Sequence, residues 1–215
     1  MANMEFSIFN FQFSINILDI VTTVLGLAYI LLEYRASVWM WAVGFAMQVL
    51  GIVLYCQKGL YADCGMEFYY LAMTLYGWWR WVHGGVARKT LPIRHFPLRQ
   101  AFLSAGVALV LWAFIYWLLV TYTDSTVPLA DSFTTALSIV GIWALARKYL
   151  EQWLLWIVVD VVTSALYFYK DIPFKASLYA LYVVIAVLGY RKWLRMMEPY
   201  KNKYNLSTNS NKHGG

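Results

Sequence analysis

The feature that most constrains this chain is a series of seven apolar stretches, each long enough to cross a bilayer as a helix. A spanning helix needs about 20 mostly apolar residues. Hydrophobic side chains make up 61% of the 215 residues and charged ones only 13%, whereas a soluble domain is about 25% charged. We therefore predict an all-α membrane protein and exclude a soluble enzyme. The predicted spans are 18–34, 37–56, 60–82, 100–121, 131–147, 153–169 and 174–194.

The distribution of Lys and Arg predicts the orientation of these spans. Cytoplasmic loops carry an excess of both residues. Fourteen of the 17 lie at one end of the predicted bundle, and only Lys58, Lys170 and Lys175 lie at the other. Seven spans then place the N-terminus outside and the C-terminus in the cytoplasm. The net charge of +6 is explained by topology, so we expect no nucleic-acid partner.

An internal repeat organises the spans. A shift of 112 residues places residues 19–81 on 131–193 and matches 14 of the 63 positions. Each copy holds three spans and one span separates them, so we predict a 3+1+3 arrangement of two parallel three-helix repeats, as occurs in transporters. The predicted segments are an interfacial lead-in (1–17), repeat 1 (18–83), a basic cytoplasmic loop with linker helix 4 (84–125), repeat 2 (126–195) and a polar cytoplasmic tail (196–215) that is disordered from Pro199.

Two carboxylates fall inside the spans, Glu67 and Asp160. A charge at the bilayer centre costs at least ~2.5 kcal/mol, so such residues face the bundle interior or a wet cavity; a bond to a neighbouring hydroxyl is the alternative. The repeat pairs Asp160 with Gln48 and Glu67 with Tyr179, which places four polar groups at similar depth. We predict a central substrate cavity, with ordinary packing as the alternative for each ring. Its predicted lining is Gln48, Glu67, Tyr70, Trp156, Asp160, Thr163, Tyr179 and Tyr182.

The chemistry of this predicted cavity indicates a class of ligand. Aromatic faces and carboxylates attract cations, and amides and hydroxyls bond sugar hydroxyls, so a planar cationic heterocycle joined to a sugar fits. No Cys/His spacing of a metal site occurs, and we expect neither cofactor nor catalysis. A photoreceptor is disfavoured because Lys175 and Lys192 lie at the ends of the last span, where a retinal Schiff base would need a lysine near its middle.

Residues near the span ends have more than one interpretation. Gly77 and Gly189, each followed four residues later by Trp81 or Trp193, are a candidate cytoplasmic gate or a close helix contact. The six tryptophans of the inner boundary are predicted to form an interface belt; they are Trp41, Trp78, Trp79, Trp81, Trp153 and Trp193. Cys56 and Cys64 bracket one outer loop, where we favour free thiols over a disulfide.

Several runs of the chain resemble a known transporter family. The runs EFYYLAMTLYGWWRW at 67–81, WLLWIVVDVVTSALYFYKD at 153–171 and SLYALYVVIAVLGYRKW at 177–193 are similar to those of the PnuC family of nicotinamide riboside transporters. The resemblance covers residues 18–195. The embedded Asp160 and the YGWWRW run are its most specific parts.

The resemblance implies a full-length relative of the SWEET fold that carries nicotinamide riboside, a form of vitamin B3, across the bacterial inner membrane. It implies facilitated diffusion by alternating access, a cytoplasmic kinase that traps the substrate for NAD synthesis, and a homotrimer. Relatives that carry thiamine or riboflavin share the scaffold and remain alternatives. A sugar substrate is disfavoured because no span has a proline in its middle. Coupling of transport to protons through Asp160 or Glu67 remains open.

Overall fold

A computed structural model describes residues 21, 24–57, 61–85 and 90–212, with side chains described except at 61–63 and 198–212. The predicted interfacial lead-in at 1–17 lies outside these ranges. Within them the chain forms seven helices, which confirms the prediction of an all-helical membrane fold. The helices are α1 (Val24–Tyr34), α2 (Trp39–Gln57), α3 (Tyr61–His83), α4 (Leu98–Tyr122), α5 (Pro128–Ala146), α6 (Gln152–Tyr169) and α7 (Pro173–Lys212).

Five of these helices have the length and hydropathy of a membrane span: α2, α4, α5, α6 and the Pro173–Met197 part of α7. The described part of α1 is shorter, and α3 has 23 residues but begins with the polar sequence YADCGME. Helix α4 buries none of its residues. An outward surface this apolar is stable only in contact with lipid or another protein, as expected of a membrane-spanning bundle.

Prolines fix where three helices begin. Pro128 and Pro173 are the first residues of α5 and α7, and Pro97 is the residue before α4. The first helical N–H has no partner within the helix, so proline loses nothing there and its ring presets φ. Helix α7 continues to Lys212, so the prediction of disorder from Pro199 is wrong for the backbone. Extending an existing helix avoids the cost of nucleating a new one.

The chain divides after Trp78 into two compact units, with α3 running through the division. In the second unit α4 packs on α5, α5 on α6 and α6 on α7. In the first unit Cys56 and Cys64 form a disulfide between the end of α2 and the start of α3, with Cα atoms 5.7 Å apart. Our preference for free thiols is therefore wrong, because the helical hairpin brings both residues within bridging distance.

The turn after the first helix of each repeat is the same. Ala36 and Lys148, related by the 112-residue shift, both have positive φ, of 51° and 59°. The Ala36 N–H donates to Glu33 O at 2.8 Å, and the Lys148 N–H donates to Leu145 O at 2.8 Å. The next N–H in each turn donates to the carbonyl five residues earlier, Ser37 to Leu32 O at 2.9 Å and Tyr149 to Ala144 O at 3.0 Å. The two bonds around a left-handed residue are those of the Schellman cap. At this turn the two repeats therefore share their backbone conformation.

Candidate functional site

The candidate site of the second unit begins with Asp160 on α6. Its side chain is only 8% exposed, and Ser164, one turn along the same face, is also 8% exposed. The Ser164 hydroxyl donates to Ala176 O at 2.8 Å, which ties this face to the first turns of α7. No hydrogen bond or ion pair to the Asp160 carboxyl is found among the described residues. A buried carboxylate in this state is able to bind a cationic ligand.

Three tyrosines lie beside this face. The Tyr179 ring stacks on Tyr167 with centroids 5.4 Å apart and meets Tyr182 edge to face at 5.5 Å. Tyr182 is close enough to the Asp160 carboxyl for the two to interact electrostatically. The structure thus brings three of the predicted residues, Asp160, Tyr179 and Tyr182, close together. Tyr167 was missed, although it follows Thr163 by one helical turn and is identical to Tyr55 in the other repeat.

Trp156 lies one turn before Asp160 and packs on α5. An ideal Cβ added to Gly141 would lie 3.3 Å from the Trp156 ring, so the glycine provides the space that the indole occupies. The Trp156 Nε1 is buried without a hydrogen-bond partner in the described part of the chain. A buried N–H of this kind is able to donate to a ligand. Thr163 is partly buried on the same helix.

The first unit holds the other predicted residues, Gln48, Glu67 and Tyr70. The Gln48 Oε1 is buried and accepts no hydrogen bond from a described residue. The Glu67 side chain lies across Gly51, since a Cβ at Gly51 would approach its Cδ to 2.7 Å. Tyr70 contacts Tyr69, with ring centroids 5.7 Å apart. An amide oxygen on α2 and a carboxyl and phenol on α3 are thus the polar groups that this unit offers.

The candidate gate residues of the second unit form an aromatic cluster. Trp193 contacts Trp81 at 6.1 Å and Trp153 at 5.7 Å between ring centroids. The Trp81 N–H donates to Leu145 O at 3.1 Å. A Cβ at Gly189 would lie 2.7 Å from the Trp153 ring. Because the three tryptophans are at most 3% exposed, the cluster is fully packed.

The first unit repeats this contact between glycine and tryptophan. A Cβ at Gly77 would lie 2.3 Å from the ring of Trp41, which is itself 0% exposed. The prediction of an interface belt is therefore wrong for Trp41, Trp81, Trp153 and Trp193, because their rings fill space inside their own unit. Trp78 and Trp79 are 39% and 58% exposed, as a belt requires.

The described residues contain no group of three or more His, Cys, Asp or Glu side chains that could hold a metal ion. The polar groups of the predicted site are instead one carboxylate with aromatic rings in the second unit and a carboxyl with an amide in the first. Together with the apolar helices, these groups define a multi-pass membrane protein with polar and aromatic side chains buried between its helices.

Comparison with known proteins gives the family. Residues 16–195 match the model of the nicotinamide mononucleotide transporter family. The riboflavin/roseoflavin transporter RibM of Streptomyces davaonensis is 29% identical, over 81% of this chain and 83% of that protein. The nicotinamide riboside transporter PnuC of Escherichia coli is 25% identical, over 82% of this chain and 84% of that protein.

A solved structure, the crystal structure of the vitamin B3 transporter PnuC, is similar in fold with a TM-score of 0.65. The two chains are 22% identical, and the match covers 85% of this chain and 82% of the PnuC chain. The chain belongs to the nicotinamide mononucleotide transporter family. It is therefore a membrane transporter of a vitamin-like substrate and not an enzyme, which confirms the family resemblance found in the sequence.

Proposed function

We propose that this transporter carries nicotinamide riboside and binds it through Asp160. The observation that carries the proposal is the Asp160 carboxyl, which is only 8% exposed and lies near Tyr182. One turn away is an indole N–H that has no hydrogen-bond partner among the described residues. A pyridinium ring satisfies the carboxylate and the aromatic faces together. The ribose hydroxyls suit the Trp156 N–H and the Thr163 hydroxyl.

Riboflavin is the second candidate, because the relative at 29% identity carries it. Its ring system is neutral, so it would leave the Asp160 carboxylate without a countercharge in a buried site, and this costs free energy. Thiamine is also cationic, so the attraction to Asp160 applies to it equally. A comparison of the measured affinities for thiamine and nicotinamide riboside decides between the two.

The experiment is calorimetric titration of the purified protein with nicotinamide riboside, thiamine and riboflavin. Removing one partner of a buried charge pair costs about 2–5 kcal/mol, so we expect Asp160→Asn to weaken nicotinamide riboside binding at least about tenfold. Trp156→Phe retains an aromatic ring but removes the N–H and part of the indole, while the Asp160 carboxylate stays in place, so we expect a smaller loss. The matched control is Asp131→Asn, which removes a carboxylate that lies 3.9 Å from Lys170.

Equal binding of all three vitamins, or unchanged binding by Asp160→Asn, would refute this assignment.

The predicted residues Gln48, Glu67 and Tyr70 stay predictions. The same titration on Gln48→Leu, Glu67→Gln and Tyr70→Phe tests them. The homotrimer also stays a prediction, and a mass measurement of the detergent-solubilised protein tests it.

We further propose facilitated diffusion with alternating access, with the Lys- and Arg-rich end in the cytoplasm of a bacterium. Uptake into liposomes would then stop at equal concentrations and proceed further only when a nicotinamide riboside kinase and ATP are enclosed. We expect a proton ionophore to leave the initial rate unchanged. Accumulation above the outside concentration without the kinase would contradict this mechanism.

A further inference from the structure

A second constellation lies outside the predicted substrate site, where the connector between α3 and α4 meets the turn between α5 and α6. The Arg94 N–H donates to Lys148 O at 3.2 Å, and the Leu150 N–H donates to Arg94 O at 3.0 Å. This short parallel bridge fixes the backbone of Arg94 beside the turn. Arg147 lies in the same turn, directly after the last residue of α5.

Both arginines lie on faces of one aromatic cluster. Tyr149 stacks on Phe96 at 4.5 Å and contacts Trp143 at 6.1 Å between ring centroids. The guanidinium carbon of Arg94 is 5.0 Å from the Tyr149 centroid, and that of Arg147 is 4.7 Å from the Trp143 centroid. A guanidinium held this way is preorganised, and its planar fork matches the oxygens of a phosphate.

The positive charge of this pair is not balanced by the carboxylate beside it. Glu151 Oε1 is 2.8 Å from His95 Nδ1, and Glu151 Oε2 accepts the Phe96 N–H at 2.8 Å, so both oxygens are engaged. Among the described residues no ion pair joins Arg94 or Arg147 to a carboxylate. The Nε atom of each arginine is buried without a hydrogen-bond partner within that part of the chain.

We propose that Arg94 and Arg147 bind the phosphate of an anionic phospholipid. Arginine forks are the preferred ligands of phosphate oxygens, and basic pockets at span ends bind lipid headgroups. A lipid is favoured over a soluble phosphate ester because an apolar surface begins directly after the connector. Leu98 and Phe102, one turn apart at the start of α4, are 78% and 77% exposed, which gives an acyl chain a surface on which to lie.

The test is lipid binding to the full chain in neutral detergent, followed by native mass spectrometry. The probes are phosphatidylglycerol, phosphatidylcholine as the neutral lipid and glycerol 3-phosphate as the soluble source of phosphate. The variants are Arg94→Gln, Arg147→Gln and Arg147→Lys, with Arg191→Gln as a control that removes the same charge from an exposed position on α7. The melting temperature without lipid shows whether each variant is folded.

We expect each glutamine variant to lose about fivefold in affinity for phosphatidylglycerol. We expect Arg191→Gln to lose less than about twofold, because no described aromatic ring orients its guanidinium. Arg147→Lys should bind more weakly than the unaltered protein, since lysine retains the charge without the planar fork. An equal loss in Arg191→Gln, full affinity in Arg147→Lys, or displacement of the lipid by millimolar glycerol 3-phosphate would overturn the proposal.

Discussion

Gly189→Ala is the substitution for which the packing makes the strongest prediction. The ideal Cβ at this position lies 2.7, 2.7 and 2.8 Å from three atoms of the Trp153 indole. Carbon atoms in contact lie about 3.5–4.0 Å apart, so the methyl group requires a movement of close to 1 Å. The indole has little freedom to move, because it is 3% exposed and meets Trp193, which is 0% exposed.

Two opposing contributions determine how much Gly189→Ala changes the free energy of unfolding. Overpacking a filled interior costs about 1–3 kcal/mol. Replacing glycine by alanine within a helix contributes about 1 kcal/mol in the other direction. Because the contact is so short, we place its cost in the upper half of the overpacking range and expect a net destabilisation of about 1–2 kcal/mol. For a chain of this size that lowers the melting temperature by about 2–8 °C. Gly77→Ala should destabilise more, because its Cβ would lie 2.3 Å from the Trp41 ring.

The assay is thermal unfolding of the purified protein in detergent, followed by intrinsic fluorescence. Gly106→Ala on α4 is the matched control, since no atom of a described residue lies within 4 Å of its ideal Cβ. That variant gains only the helix-propensity term, so its melting temperature should stay constant or rise. The double variant Gly189→Ala with Trp153→Phe removes the clashing part of the indole and should recover part of the loss.

The reasoning fails if Gly189→Ala and Gly106→Ala melt at the same temperature, or if Trp153→Phe does not relieve the effect of the new methyl group. A loss of transport with normal melting would separate gating from packing, because it would place the need for glycine in the moving protein. That result would support Gly77 and Gly189 as gate residues.

Three further predictions rest on single features of the structure. Ala36→Gly should raise stability by about 1 kcal/mol, because Ala36 has a φ of 51°; thermal unfolding measures it. Denaturation without a reductant should expose no free thiol, and Cys64→Ser should lower the free energy of unfolding by about 2–3 kcal/mol, because the loop closed by the bond to Cys56 is lost. Burial lowers the pKa of Lys148 from 10.5 to about 8. Between pH 8 and 10.5 the unfolded chain therefore binds more protons than the folded one. The free energy of unfolding should rise with pH in this window, by at most about 3 kcal/mol. Lys148→Met should abolish this rise, and an unchanged pH profile in Lys148→Met would rule out Lys148 as its source.

The helices could be predicted from the sequence because each apolar stretch is long. A stretch of about 20 apolar residues excludes most other structures, and prolines such as Pro128 and Pro173 mark helix starts directly. The end of α7 was the exception, since polar composition alone does not determine where an extended helix stops. The number of helices therefore followed from local pattern, and the end of the last helix did not.

Side-chain partners could be predicted only where helical periodicity defines them. Asp160 and Trp156 share a face of α6 because they are four residues apart, but the role of the tryptophans at the inner boundary depends on contacts between helices. Trp41 and Trp153 looked like interface residues because indoles collect there. Their burial follows from glycines on the neighbouring helix, and no local pattern shows which helix is the neighbour.

The two repeats show how a backbone can be kept while its residues change. Tyr29 lies against Gly44, whose ideal Cβ would be 3.1 Å from the ring, and Trp156 lies against Gly141 at 3.3 Å. The 112-residue shift relates Tyr29 to Gly141 and Gly44 to Trp156, so the large and the small residue have exchanged helices. Two rings at this contact would clash and two glycines would leave a void. A change of one residue is therefore tolerated only if its contact partner on the other helix changes as well.

One related pair does not follow this exchange of size. Glu67 lies across Gly51 in the first unit, but the corresponding residues of the second unit, Tyr179 and Thr163, are both larger than glycine. The Tyr179 ring instead contacts Tyr167 and Tyr182, and Tyr182 interacts with Asp160. Local packing rules are broken most often where function requires it. The break between the repeats therefore falls on the residues that we propose bind the substrate.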